Sequence, residues 1–156
     1  MLDLNDMDCI LPKLYLGNEL ASQDIAMLSE FSITHILQIK DTRQQQTQQT
    51  SSECNNIQYM TIYLDDNSDE DILSHIPKCV EFISQIMESG KGSILVHCTM
   101  GISRSASIVC AFLMRHLNIS ADHALNMIRK VRPMVQPNQG FLKALQEYEQ
   151  LLLRNN

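Results

Sequence analysis

The sequence lacks the features that mark several classes of protein. No apolar run approaches the length of a transmembrane helix. The N-terminal residues MLDLNDMDCIL are acidic, whereas a secretory signal peptide begins with basic residues. The 5 cysteines are scattered without a C-x-x-C pair, and the histidines show no spacing typical of metal ligands. These absences disfavour a membrane protein, a secreted protein, a disulfide framework and a zinc site, so we expect a reducing compartment, no metal and no cofactor.

Negative charge prevails in the sequence, but it is unevenly distributed. The formal net charge of the 156 residues is -6. Residues 1–91 contain 15 of the 18 acidic residues, whereas residues 92–156 contain 7 of the 12 basic residues. Basic and aromatic residues are not interleaved as they are in many nucleic-acid-binding proteins. The distribution therefore favours a local anion site in the second part of the chain over general binding of polyanions.

The most informative stretch is GSILVHCTMGISRS, residues 92–105. It predicts a short apolar strand from Gly92 to His97, a loop from Cys98 to Arg104 and a long apolar helix that begins at Ser105. The first N–H groups of a helix are unpaired and carry partial positive charge, so a loop that leads into a helix is suited to bind an anion. The loop amides that can surround the anion belong to Thr99, Met100, Gly101, Ile102 and Ser103.

Cys98 and Arg104 add chemistry to this loop. The Arg104 guanidinium is a planar fork that matches two oxygens of a phosphate. Cys98 lies beside these donors near a helix N-terminus, where a thiol readily becomes a nucleophilic thiolate. The alternative is a buried structural cysteine and an ordinary surface arginine. The neighbouring His97, Gly101 and Ser105, with an apolar strand before and an apolar helix behind, favour attack of sulfur on phosphorus.

The stretch HCTMGISRS resembles the signature of the cysteine-dependent protein phosphatases, in the form H-C-x-x-G-x-S-R-S that is most similar to the dual-specificity branch. A second resemblance lies in the first forty residues, where LYLGN and ITHIL follow the order of the small, vaccinia-H1-related members. The chain therefore resembles an atypical dual-specificity phosphatase. That resemblance implies hydrolysis of phosphotyrosine and of phosphoserine or phosphothreonine through a phosphocysteine.

The resemblance also implies roles for residues outside the loop amides. Asp66, 32 positions before the cysteine, matches the general acid; the alternatives are a turn aspartate at this position and Asp65 as the acid. Ser105 matches a hydroxyl that contacts the sulfur and assists breakdown of the phosphocysteine. His97 matches a buried histidine that hydrogen-bonds the loop backbone. Asn138 matches an asparagine that braces the phosphate loop, and a helix N-cap is its alternative.

Two features depart from common family patterns. Met100 stands where many relatives have alanine or glutamate, so we expect a more apolar pocket. The loop lacks lysine, and because lysine-rich loops mark the phosphoinositide phosphatases, lipid substrates are disfavoured. Arg132 could line the rim of the site, but an exposed helix face is the preferred interpretation.

The hydrophobic pattern predicts one domain over residues 1–156 with an α/β fold, in which helices flank a mostly parallel central sheet on both faces. The helix after Ser120 is expected to bury Val131 and to expose Arg132. The polar residues 42–56 are expected to form a solvated connector, with a role in partner choice as a weaker hypothesis. The predicted strands are 14–17, 33–39, 57–64 and 92–97. One helix is predicted from an N-cap at Ser22 to Phe31. Another is predicted to begin near Asp69 and to be bent or split by Pro77.

The resemblance implies a phosphorylated protein as partner, no nucleic acid and no membrane, and it favours a monomer. We expect a cytoplasmic location, with the nucleus as a further one. Two alternatives stay open: an RNA 5′-triphosphatase or another non-protein phosphatase, and a non-catalytic phosphate-binding module. The acidic net charge argues against an RNA substrate. The presence of Cys98, Arg104 and Asp66 argues against a non-catalytic module.

Overall fold

The structure, a computed structural model, describes residues 5–46 and 56–155. Five strands and six α-helices form the described fold, and a short 3-10 helix covers Thr42–Gln45. The strands are β1 (Met7–Leu11), β2 (Leu14–Gly17), β3 (His35–Lys40), β4 (Gln58–Tyr63) and β5 (Ile94–His97). The helices are α1 (Glu19–Gln23), α2 (Ile25–Glu30), α3 (Ile76–Ser89), α4 (Arg104–Leu117), α5 (Ala121–Val131) and α6 (Gln139–Arg154).

The five strands form one sheet in the order β1-β2-β5-β3-β4. β1 pairs with β2 in antiparallel fashion, and the remaining neighbours are parallel. α1 and α2 lie between β2 and β3, and α3 lies between β4 and β5, so these connections return the chain to the same edge of the sheet, as parallel strands require. The predicted α/β fold with a mostly parallel sheet is confirmed.

Helices cover both faces of the sheet because successive side chains along each strand point to opposite faces. On one face, Leu37 and Val96 join a large buried cluster with residues of α3, α4, α5 and α6. On the other face, Ile36 and Leu95 pack with Ala21 of α1 and other residues of a smaller cluster. β5 is buried along its whole length, which agrees with a continuous apolar run in a central parallel strand.

The strand register brings several carboxyl ends together at one edge of the sheet. His97 at the end of β5 lies opposite Gly17 of β2 and Gln38 of β3. Ligands bind at this edge in open α/β sheets. The loop that follows His97 therefore lies at the edge where such sheets bind ligands, and α4 carries it back into the core, with every residue from Arg104 to Met114 buried.

Several predicted boundaries differ from the structure. β1 was not predicted, because it is a half-buried strand without a clear apolar alternation. Ser22 is not an N-cap: the single helix predicted there is two short helices, capped by the side chains of Asn18 and Asp24. The helix expected from near Asp69 begins only at Ile76, and Pro77 stands in its first turn, where a missing N–H costs no hydrogen bond.

At the end of α5, the burial of Val131 and Arg132 is the opposite of the predicted one. Val131 is 42% exposed, whereas Arg132 is 1% exposed. The helix ends at Val131, and Arg132 adopts a non-helical backbone with φ -130° and ψ 82°. Arg132 follows the buried Ile128 by four residues, so helical spacing places it on the same inner face, and the prediction of an exposed arginine and a buried valine is wrong.

Within residues 5–46 and 56–155, no helix is both long and apolar enough to cross a membrane.

Candidate active site

The loop Cys98–Ser103, called the phosphate loop below, connects the end of β5 to the start of α4. Its tightest point is Gly101, whose φ of 68° lies in the left-handed region that favours glycine. A Cβ on Gly101 would lie 2.5 Å from the carbonyl oxygen of Gly17 and 2.7 Å from the Arg132 guanidinium. Glycine is needed here both for the backbone conformation and for the close approach of β2.

Every carbonyl of the phosphate loop is held by a donor. The Glu19 amide donates to Thr99 O at 3.1 Å, and the Gln136 amide donates to Ile102 O at 2.9 Å. Arg132 donates to two more, Gly101 O at 2.9 Å and Met100 O at 3.2 Å. The two terminal carbonyls are held by neighbours in sequence: His97 Nδ1 lies 3.3 Å from Cys98 O, and the amide and hydroxyl of Ser107 donate to Ser103 O at 2.9 Å and 2.7 Å.

The orientation of these carbonyls determines where the amides point. In a trans peptide the N–H of one residue is opposite to the C=O of the residue before it. Carbonyls turned toward surrounding elements therefore aim the following N–H groups at the interior of the loop. Gly101 shows the result, since its amide donates to Cys98 Sγ at 3.3 Å.

The Cys98 sulfur lies at the floor of this loop. Besides the Gly101 amide it contacts the Ser105 hydroxyl at 3.1 Å, and the residue is 3% exposed. The resemblance implies a contact between the Ser105 hydroxyl and the sulfur, and the structure brings the two together. Both neighbours can donate a hydrogen bond to the sulfur.

Arg104 lies at the start of α4 with its guanidinium across the loop. One terminal nitrogen donates to Asp41 Oδ1 and to Leu64 O, and the other donates to Thr99 Oγ1 at 3.1 Å. The Nε atom is buried and has no hydrogen-bond partner among the described residues. A buried guanidinium donor without an acceptor is costly, and a bound oxyanion would satisfy it.

Asp41 was missed by the sequence analysis, although its position carries a topological signal. It directly follows β3, which neighbours β5, so it reaches the same edge of the sheet as the phosphate loop. Asp41 also caps the 3-10 helix through a capping box with Gln44. Asp41 thereby links Arg104 to the 3-10 helix that follows β3.

The two rival carboxylates are held apart. Asp65 accepts bonds from the Thr42 amide at 2.9 Å and the Thr42 hydroxyl at 2.7 Å. The hydrogen bond from the Thr42 backbone amide lowers the pKa of Asp65, and the bond from the Thr42 hydroxyl lowers it further. Asp66 is exposed and accepts a bond from Asn138 Nδ2 at 2.9 Å. Asp65 is thus bound to a neighbouring turn and favoured as the anion, whereas Asp66 is free to face a ligand.

Asn138 shows both arrangements considered for it. Its Oδ1 accepts a hydrogen bond from the Phe141 amide at 2.9 Å and caps α6. Its backbone N–H donates to Ser103 Oγ at 3.0 Å. With the bond to Asp66, one residue links the phosphate loop, α6 and the candidate acid.

His97 is 2% exposed, and burial lowers its pKa to about 4. It is therefore neutral near pH 7. Because its partner, Cys98 O, is an acceptor, Nδ1 carries the proton in the neutral ring. Nε2 is buried with no partner among the described residues. The residue contacts the loop backbone, as the resemblance implied.

Arg132 is neither on the rim nor on an exposed face. Its guanidinium holds Met100 O and Gly101 O, and it also donates to Asn5 O at 2.7 Å and to Asp8 Oδ2 at 2.9 Å. Met100 itself is 59% exposed, so its side chain points away from the core. Periodicity could not have identified the partners of Arg132, because they lie 31 to 127 positions away in sequence.

Among the residues that the structure describes, no group of three or more histidine, cysteine or carboxylate side chains could hold a metal ion. Most of the Gln-rich connector, residues 47–55, lies outside the described residues. Its expected role as a solvated loop stays a prediction.

Comparisons with known proteins agree on one family. A family model described as "Dual specificity phosphatase, catalytic domain" matches residues 14–151. A probable dual specificity protein phosphatase of Dictyostelium discoideum is 37% identical over 152 residues, which is 96% of this chain and 66% of that relative. The chain therefore spans about two thirds of that relative's length.

Solved structures share the fold. The human tyrosine phosphatase-like serine/threonine/tyrosine-interacting protein matches with a TM-score of 0.86 and 32% identity, over 94% of this chain and 97% of that one. A mouse putative dual specificity phosphatase complexed with zinc tungstate matches with a TM-score of 0.82 and 32% identity, over 99% of this chain and 93% of that one.

The thiols are expected to differ sharply in reactivity. Burial raises the pKa of Cys79 and of Cys110 to about 12, so both stay protonated near neutral pH. Iodoacetamide should label Cys98 and leave these two unmodified, as read by peptide mass spectrometry of the folded protein. Inorganic phosphate should slow labelling of Cys98 without affecting Cys9, which is exposed and serves as the control. Labelling of Cys79 before Cys98 would contradict the site.

His97 is expected to make stability depend on pH. Unfolded histidine binds a proton below pH 6.5, but folded His97 does not until about pH 4, so the unfolded state binds more protons in between. The free energy of unfolding should therefore decrease as the pH is lowered through this window, and His97 should account for about 2 kcal/mol of the loss at pH 5. Urea unfolding at pH 7 and pH 5 measures the loss, which His97→Asn should reduce. The exposed His123→Asn variant is the control, and equal losses in all three proteins would refute the assignment.

Proposed function

Because the chain belongs to the family of dual specificity phosphatase catalytic domains, we propose that it hydrolyses phosphate monoesters of proteins through a phosphocysteine intermediate. One observation carries the proposal. The Cys98 sulfur accepts the Gly101 amide inside a loop whose carbonyls are all held by donors, and the Nε donor of Arg104 has no acceptor among the described residues. This arrangement of a nucleophile and unused donors suits the three equatorial oxygens of a phosphoryl group.

In the first step the Cys98 thiolate attacks phosphorus, and the ester P–O bond opposite the sulfur breaks. The loop amides and the Arg104 fork stabilise the negative oxygens of the transferring phosphoryl group. Asp66 gives its proton to the leaving oxygen of the substrate. The products are the free alcohol or phenol, a phosphocysteine and the Asp66 carboxylate.

In the second step a water molecule attacks the phosphocysteine. Asp66, now a carboxylate, takes a proton from the water, and the P–S bond breaks to release inorganic phosphate. The Ser105 hydroxyl lies 3.1 Å from the sulfur and can donate to the thiolate as it leaves. No metal or cofactor takes part in this proposal.

Both phosphotyrosine and phosphoserine or phosphothreonine are proposed as substrates, since residues 1–60 lack the long, aromatic-walled recognition loop of tyrosine-selective enzymes. A solved mouse relative is complexed with zinc tungstate, and tungstate is a tetrahedral oxyanion, which supports binding of an oxyanion by this chain. The acidic net charge supports a protein substrate over RNA. The free state of Cys9, Cys79, Cys98 and Cys110 supports a cytoplasmic or nuclear location, and a monomer is the proposed form.

The nucleophile and the arginine can be tested together. Cys98→Ser should abolish turnover of para-nitrophenyl phosphate, while vanadate still binds because the loop amides and Arg104 remain. Arg104→Lys should also lose most activity, since a point charge cannot replace the fork. Cys9→Ser, an exposed thiol outside the site, is the matched control and should keep full activity.

The outcome also separates the proposed enzyme from the non-catalytic alternative. Activity retained in Cys98→Ser would refute the mechanism. A wild-type protein that binds vanadate without any turnover would instead be a phosphate-binding module. That outcome has a precedent in name, because one structural relative is called a phosphatase-like interacting protein.

The acid can be identified by comparing two neighbouring variants. Asp66→Asn should slow hydrolysis of an alkyl phosphopeptide by roughly 10²–10⁴-fold and flatten the alkaline limb of the pH–rate profile. The loss should be small for activated aryl phosphates, whose leaving groups barely need a proton. Asp65→Asn is the matched control and should have a much smaller effect, because Asp65 is bound to Thr42. A reversed order of the two effects would make Asp65 the acid.

A further inference from the structure

We infer that Arg132 is a positioning residue that orients the phosphate loop for binding of the phosphoryl group, and that Asp8 holds Arg132 in place. The inference rests on the proposed function and deepens it. Arg132 does not touch the reacting atoms. It acts through the peptide groups of the loop, and it connects them to the N-terminal strand.

Arg132 holds two neighbouring peptide groups of the phosphate loop. Its Nε donates to Gly101 O at 2.9 Å and one terminal nitrogen donates to Met100 O at 3.2 Å. Within a trans peptide, fixing these carbonyls fixes the N–H groups of Gly101 and Ile102 on the opposite side. The Gly101 N–H points at Cys98 Sγ, 3.3 Å away. Arg132 thus controls the direction of a donor that reaches the nucleophile.

Arg132 holds the loop more strongly than the neighbouring backbone donors do. It binds two phosphate-loop carbonyls, and it does so with a permanent charge. Charge-assisted bonds are stronger than the neutral bonds from the Glu19 and Gln136 amides to the neighbouring carbonyls. The peptides that Arg132 fixes surround Gly101, whose left-handed conformation makes this the sharpest part of the loop.

Arg132 is itself held in place by Asp8 and by the backbone of Asn5. Its side chain is 2% exposed and pairs with Asp8 Oδ2 at 2.9 Å, where the aspartate side chain is 9% exposed. The same terminal nitrogen donates to Asn5 O at 2.7 Å. A buried charge needs such a partner, because an unpaired one loses its hydration without compensation. Residues 5–8 therefore act through Arg132 on the loop.

Close backbone packing supports the same connection. Gly17 of β2 lies between the N-terminal stretch and the loop: a Cβ on it would lie 2.6 Å from Asp6 O, and its own carbonyl lies against Gly101. The Asn18 amide donates to Asp6 O at 2.8 Å. The N-terminal stretch, the end of β2 and the phosphate loop form three successive layers, and Arg132 spans them.

The experiment compares phosphate-site integrity with global stability in four proteins: wild type, Arg132→Met, the double variant Asp8→Leu/Arg132→Met, and Arg115→Met. Arg115 is the control, because it pairs with Glu81 on the surface at 3.5 Å. Vanadate affinity is read both from inhibition of para-nitrophenyl phosphate turnover and from protection of Cys98 against iodoacetamide. Thermal unfolding gives stability.

Arg132→Met should lower vanadate affinity by roughly 10–100-fold, the range of losing bonds from a charged donor. It should also lower the melting temperature, because the buried Asp8 carboxylate loses its cationic partner and keeps only the bond from Asn5 Nδ2. The double variant removes both charges and should recover melting temperature. It should not recover vanadate affinity, since the two carbonyls still lack their donor. Arg115→Met should match wild type in both measurements.

Recovery of vanadate affinity together with stability in the double variant would overturn the inference, because Arg132 would then be merely structural. Wild-type affinity in a folded Arg132→Met would do the same. If Arg132→Met does not fold, the double variant and Arg132→Lys decide: lysine keeps the charge but lacks the fork, so affinity should fall while the Asp8 pair preserves stability. A wild-type protein without turnover or vanadate binding would refute the proposed function instead.

Discussion

The active site depends on one constraint, the outward direction of the carbonyls in the loop Cys98–Ser103. If the six carbonyl oxygens of this loop pointed inward, they would repel a phosphate. Here donors from α1, α4, the residue that follows α5 and the segment before α6 bind the carbonyls, so the amides face the loop interior. The sheet and the helices matter for chemistry because they deliver these donors to the right positions.

The same donors explain why the loop is buried yet polar. Cys98, Ser103, Arg104 and Ser105 are each nearly inaccessible to solvent. In such a setting water no longer competes for hydrogen bonds, and fixed donors stabilise an anion more strongly than they would in water. The unused Nε of Arg104 and the sulfur contacts of Gly101 and Ser105 are oriented before a ligand arrives. Little reorganisation is then needed when phosphate binds.

Local sequence patterns predicted those parts of the structure that local forces determine. The alternation of apolar strands and amphipathic helices predicted the α/β fold, and a contiguous motif predicted the loop with its thiol and arginine. The contacts that brace this loop lie elsewhere in the chain. Asp41 reaches Arg104 across 63 positions, and Asp8 reaches Arg132 across 124. Neither pair follows a periodicity, because tertiary topology alone brings them together. Arg132 even had the wrong predicted burial, although its spacing of four residues from the buried Ile128 places it on the inner face of α5.

The candidate acid is treated differently from the nucleophile, and the difference suits its task. Cys98 is enclosed, whereas Asp66 is exposed on a turn and accepts one described bond, from Asn138. A general acid must meet leaving groups of different size, so a fixed and buried carboxyl would restrict the substrates. Asn138 nevertheless limits how far Asp66 can move, because its backbone amide is bound to Ser103 and its side chain caps α6. The rigid loop thus also sets the position of the acid, through one asparagine that contacts both.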